Sequence, residues 1–215
     1  MRREVFAAGL LLLLAGTGEA QAPLTREHAI AWLKNQNDVQ VRRQGASWLG
    51  ETGGMADVPL LVEALRDADS VVRGLAEQSL WQIWSRSGDP EVDALFQLGL
   101  KQMNERHLEM AIETYALIIE RKPDFAEGWN KRATVFYLAG EYEKSLSDCE
   151  EVIRRNPLHF GALSGFGLNY LRLGRLEQAL DHFQQALAVN PNMPQVEALV
   201  ERLERLMIQR PREII

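Results

Sequence analysis

The sequence predicts an all-α fold, a superhelix of stacked helical hairpins, and three observations predict it. Pro123, Pro157 and Pro191 stand 34 residues apart, each closing a similar phrase: Glu120-Arg121-Lys122-Pro123, Arg154-Arg155-Asn156-Pro157, Ala188-Val189-Asn190-Pro191. A fixed period of this length belongs to hairpins that cannot bury their apolar faces alone and must stack. Upstream of this array and beyond it, apolar residues recur at helical spacing between capping and breaking residues. No stretch alternates as a strand would.

The first twenty residues read as an address. Arg2 and Arg3 precede an apolar run from Val5 to Ala15, and Gly16 to Ala22 supplies small residues. That is the layout of a secretory signal peptide. The run of about 11 residues is too short to span a hydrocarbon core of roughly 30 Å. An uncleaved anchor is the alternative. Cleavage fits after Ala20 or after Ala22; Ala20 is preferred because Pro23 directly follows the other. No membrane insertion is expected after cleavage, and the expected location is periplasmic or secreted. Cys149 is the single cysteine, so an exported chain would have no internal disulfide and must rely on packing.

Residues 23–89 read as two helical hairpins. Thr25 caps a helix through Gln36; a second runs from Val39 to Leu49; a third starts near Asp57 with Pro59 in its first turn; a fourth runs to Arg86. The second and fourth match residue for residue: Asp38 with Asp69, Val41 with Val72, Arg42 with Arg73, Leu49 with Leu80. The phrase from Val58 to Arg73 resembles the short HEAT-like repeat of prokaryotic proteins. Asp38 and Asp69 should cap their helices. Arg42 and Arg73 are either rungs of a repeat ladder, pairing with nearby carboxylates, or a site for an acidic ligand. Some proteins of this resemblance act on bilin chromophores, which an export signal argues against.

Residues 92–193 divide into units 92–125, 126–159 and 160–193. The fourth residue of each is Leu95, Trp129 and Leu163; the eighth, small, is Gly99, Ala133 and Gly167; the twentieth, small again, is Ala111, Ser145 and Ala179; the twenty-fourth is Tyr115, Cys149 and Phe183. This pattern, with proline at the thirty-second position, resembles the tetratricopeptide repeat. The resemblance implies a right-handed α-solenoid whose first helices line a concave surface. The first unit departs from it, with Gln102 in place of the aromatic at position eleven and no turn glycine to match Gly140 and Gly174. Arg132 replaces an apolar residue in the second unit. Residues 194–215 supply a capping helix and tail, with Val196, Leu199, Val200 and Leu203 on one stripe. The N-terminal hairpins are expected to cover the other end of the array, across a short joint at Gly88-Asp89-Pro90.

What the resemblance implies about a site follows from this register. The groove positions hold Phe96, Leu100, Met103, Asn130, Thr134, Tyr137, Leu168 and Leu171, together with Asp93, Asn104, Glu127, Leu138, Gly161, Ser164 and Arg172. One subset of the family grips peptide carboxylates with a ring of cations and amides. Here the matching places hold Phe96, Leu100, Lys131, Gly161 and Gly165, so that grip is not expected. An apolar groove of this kind suits an amphipathic helix or an extended peptide. The alternative is a groove filled by the chain itself.

Other function classes are disfavoured. A net charge of −6 gives no electrostatic footprint for nucleic acid. His28, His107, His159 and His182 form no ligand-spaced pair, and no Gly-rich phosphate loop follows a strand. Cys149 sits at a repeat core position and reads as a structural thiol. The sequence therefore predicts a non-enzymatic protein-interaction scaffold with a protein or peptide partner, no cofactor, no metal and no small-molecule substrate. A structural subunit of an envelope enzyme complex is the second reading, and a chromophore-modifying protein the third.

Overall fold

The computed structural model describes residues 25–209, which form eleven α-helices and, among the described residues, no strand. The signal-peptide reading of residues 1–20 and the last six residues lie outside this range. The N-terminal part holds α1 (Arg26–Leu33), α2 (Val39–Thr52), α3 (Val58–Ala64) and α4 (Ser70–Trp84). The three repeat hairpins are α5 (Pro90–Asn104) with α6 (Leu108–Arg121), α7 (Ala126–Leu138) with α8 (Tyr142–Arg155), and α9 (Phe160–Arg172) with α10 (Leu176–Val189). The capping helix α11 spans Pro194–Gln209.

Local chemistry sets these boundaries. Thr25, Asp38, Asp69 and Asp89 each accept main-chain N–H bonds in the first turn of the following helix, satisfying donors that the helix itself cannot. Pro59 and Pro90 sit in first turns, where a missing N–H costs nothing. The helix from Thr25 ends at Leu33, earlier than its apolar spacing suggests, because Asn35 turns its side-chain oxygen onto the N–H groups of Asn37 and Asp38.

From α5 to α11 each helix packs on the next. The small eighth position is required sterically: a Cβ at Gly167 would lie 2.4 Å from the Phe183 ring. The turn inside each hairpin closes with the same long main-chain bond, His107 N–H to Gln102 O, Glu141 N–H to Phe136 O and Arg175 N–H to Tyr170 O. Gly140 and Gly174 take positive φ there, and in the first unit Arg106 is forced to φ 64°. Arg132 fits its apolar position by a bidentate bond to Asp148, 2.8 Å on both arms, beneath the Trp129 ring.

The N-terminal hairpins do not close over the first repeat unit as the sequence suggests. Their core, with Leu61, Leu65, Leu80 and Trp84, takes in Phe160 and packs on Val189 and Met193 of the third unit and on Leu158 at the end of the second. The first unit keeps a separate core around Phe96, Tyr115 and Phe125. Polar contacts fasten the docking. Arg66 donates to the carbonyls of Ala188 and Val189, Arg73 to Asn192 Oδ1 at 3.0 Å, and Asn192 Nδ2 to Leu65 O at 2.7 Å. At the joint, the Ser87 hydroxyl and N–H both bond Asp93 Oδ1, at 2.6 and 3.0 Å. The chain thus folds back, and α4 reaches the edge of the array where the prolines lie.

Candidate functional site: a half-filled concave face

The concave face is built by the first helices of the hairpins, α5, α7 and α9. Its proline-edge half is filled by α4. Trp84 stacks on His159 with ring centres 4.3 Å apart, and Trp81 meets Phe160 edge-on at 5.4 Å. The Lys131 ammonium lies 5.6 Å from the Trp81 ring centre. Gly161 leaves room for this approach, since a Cβ there would stand 2.7 Å from the Trp81 ring.

Beneath the tryptophans is a closed polar cluster. Glu127, 1% exposed, takes the Lys131 ammonium at 2.9 Å and the Asn130 amide at 3.1 Å. His159, wholly buried, accepts the Ala162 N–H at Nδ1 and so caps α9. Its proton therefore sits on Nε2 and is donated to Glu127 at 2.9 Å. Burial pushes the Glu127 carboxyl up, but His159 and Lys131 outweigh it and hold the group below the usual carboxylate range. The one cation at a carboxylate-gripping position, Lys131, is thereby already engaged.

The other half of the face is open. Between α7 and α9 lies a cleft of about 120 Å³ lined by Asn130, Thr134, Tyr137, Ser164, Leu168 and Asn169, among others. Of the residues the sequence places in the groove, Asn130, Thr134, Tyr137 and Leu168 are brought together here. Leu100 and Met103 lie half-buried on the first unit's core, and Leu171 on the core of Phe183, Val196 and Leu203. Leu138 is 41% exposed.

Phe96 is a correction. It is 2% exposed and packs on Tyr115 and Phe125, with ring centres 6.1 and 5.8 Å away. Its ring belongs to the first unit's core, with Val92, Tyr115, Ile118 and Phe125, while Gln102 at the eleventh position is buried and accepts the Thr114 hydroxyl at 2.7 Å. Sequence reasoning overlooked Trp81, Trp84 and His159 as groove residues, and Asn169 as part of the cleft. Two tryptophans three apart on α4 were the available signal, but nothing in a repeat register pairs α4 with α9.

Other candidates resolve structurally. Arg42 bonds Asp67 through both arms, at 2.8 and 3.2 Å, and Arg73 bonds Asn192 and the carbonyls of Asp67 and Ala68. Arg42 is a rung of the ladder, paired with a carboxylate; Arg73 is not so paired and instead fastens the N-terminal hairpins to Asn192. A surface hollow of about 760 Å³ between α1 and α3 has Arg42, Asp67 and Arg66 on its wall, all engaged within the chain. Burial pushes the Cys149 thiol up to about 12, far from a reactive thiolate. Among the described residues no three His, Cys, Asp or Glu side chains converge as metal ligands, and no helix is long and apolar enough to cross a membrane.

Residues 124–192 match the tetratricopeptide repeat family. A TPR repeat-containing protein of Rhizobium etli is 36% identical over 124 residues, which are 56% of this chain and 61% of that protein. Anaphase-promoting complex subunit 3 of Schizosaccharomyces pombe is 34% identical over 88 residues, 41% of this chain and 13% of that one. The chain thus spans less than two thirds of these relatives. Among solved structures, the first TPR of Spaghetti (RPAP3), bound to an HSP90 peptide, superposes with a TM-score of 0.53 at 19% identity, covering 55% of this chain and 94% of that one. MamA from Desulfovibrio magneticus does so with 0.51 at 18%, covering 71% and 86%. At these identities the likeness is one of fold.

Proposed function

We propose that this chain, which carries tetratricopeptide repeats, is a non-enzymatic scaffold that holds a segment of a partner protein in the open half of its concave face. The observation that carries this reading is the division of that face. The chain's own α4 covers the end at Gly161 and His159, while Leu100, Met103, Tyr137, Leu138, Leu168 and Leu171 stay accessible or half-buried. Such a short apolar strip accepts one amphipathic turn or an extended segment. Met103 gives it an adaptable contact. The RPAP3 domain is bound to an HSP90 peptide in its structure; a grip of the carboxylate kind is not supported here, because Lys131 is paired with Glu127.

The test is capture of the partner by the tagged chain from its own cells, followed by mass spectrometry. Leu100→Asp with Leu138→Asp should lower recovery at least about tenfold, since two anchors lose apolar burial, with helical circular dichroism unchanged. Undiminished recovery would move the partner off this face.

Support for the HEAT-like reading of the N-terminal hairpins comes from their aspartate caps and the Arg42–Asp67 pair. The signal layout supports a periplasmic or secreted location. A mature N-terminus at Gln21 or Pro23 is expected, and an intact Met1 in the membrane fraction would contradict it. A second reading, a permanent subunit of a larger envelope complex, is favoured by one observation: Leu98, Met110 and Leu117 of the first hairpin are about half exposed, at 45, 52 and 54%. A stoichiometric companion that survives high salt and the double aspartate change would mark it.

A further inference from the structure

The cleft between α7 and α9 has a hydrogen-bonding character that its residue types alone do not reveal. The hydroxyls of Thr134, Ser145 and Ser164 donate to the carbonyls of Asn130, Ala133 and Gly161, at 2.9, 2.8 and 2.9 Å. Asn130 Nδ2 is committed to Glu127. Asn169 Nδ2 donates to Ser145 Oγ and to Gly165 O, both at 2.8 Å. A carbonyl can only accept, so this pair of bonds fixes which end of the Asn169 amide is nitrogen. Its Oδ1 is then left buried and without a partner, in a residue 1% exposed. A buried acceptor in that state costs free energy that a suitable occupant would recover. The Tyr137 phenol forms no hydrogen bond to another described residue and remains able to donate.

We propose that this cleft is a subsite for a primary-amide side chain, asparagine or glutamine, of the partner segment. It rests on reading the open half of the groove as the partner's seat. The amide N–H meets Asn169 Oδ1, and the amide oxygen accepts from the Tyr137 phenol. A carboxylate could accept only from the Tyr137 phenol, the other lining hydroxyls and the amides being spent, and it has no hydrogen to offer Asn169 Oδ1. An ammonium finds no carboxylate on the cleft wall to balance its charge, and a buried unpaired cation is strongly disfavoured. The volume of about 120 Å³ compares with roughly 30 Å³ for one water, so a side chain displacing a few waters fills it.

The probes are propanamide, propanoate and propylammonium, titrated into the isotopically labelled full chain while the Asn169 side-chain amide and the Tyr137 ring are followed by NMR. Propanamide should shift both saturably and bind at least about tenfold tighter than either charged probe, the ratio set by one unmade hydrogen bond. Gly165→Val should abolish the response by filling the cleft. Gly165→Ala, whose Cβ meets only Cys149 Sγ at 3.4 Å, should weaken it and serves if valine unfolds the helix. Equal or tighter binding of propanoate or propylammonium, no saturable shift with propanamide, or an undiminished response in both glycine variants would overturn the subsite. Because the glycine variants leave Leu100 and Leu138 intact, loss of the subsite alone leaves the partner groove standing. Selective propanamide binding with undiminished capture by the double aspartate variant overturns the groove alone.

Discussion

Single residues carry information in this chain mainly where they break the repeat. Arg106 occupies the turn position held by Gly140 and Gly174 in the other two hairpins, and takes φ 64°. A non-glycine residue in the left-handed region costs about 1 kcal/mol. The main-chain closure of the turn is the same, since the bond from His107 to Gln102 matches its counterparts. Arg106→Gly should therefore raise stability by about 1 kcal/mol, less the entropy that glycine adds to the unfolded chain. A higher urea midpoint with an unchanged slope would register it. The missing turn glycine was legible in the sequence. The fate of Phe96 was not, because the repeat register does not state how deep a fifth-position side chain lies: Phe96 and Asn130 are buried, Ser164 only partly.

At the scale of elements, caps and breakers fixed most boundaries. The predicted capping helix and α11 both begin at Pro194, and Asp38 and Asp69 cap the helices assigned to them. The partner of α4 could not be read in the same way. A period states how a unit meets its own kind; the N-terminal hairpins follow a different period, so no register aligns them with α9. The contact is set by surface chemistry: Trp81 and Trp84 offer apolar rings, and the buried His159 offers a face, held by Glu127 below and by the Ala162 N–H. Trp84 is 4% exposed, so Trp84→Ala should destabilise the chain by about 3–5 kcal/mol. Calorimetry should show this, with the third hairpin's amides losing protection before those of α5 and α6, because Phe160 belongs to the N-terminal core and the first unit has its own.

Over the whole molecule, folding back converts a long groove into a short one. An array of three hairpins would present its concave face along its full width; here α4 takes the proline-edge part, and the Glu127 cluster beneath is satisfied internally. What remains is an apolar strip with an acceptor-rich cleft beside it. The most direct test is hydrogen exchange by mass spectrometry on the chain alone and with its captured partner. Binding should slow exchange in the segments around Leu100–Asn104, Thr134–Leu138 and Leu168–Arg172, and leave Trp81–Trp84 and His159–Ala162 as protected as before. Faster exchange at Trp81–Trp84 on binding, with protection gained around Gly161, would show the partner displacing α4 and would contradict a groove that is permanently half filled.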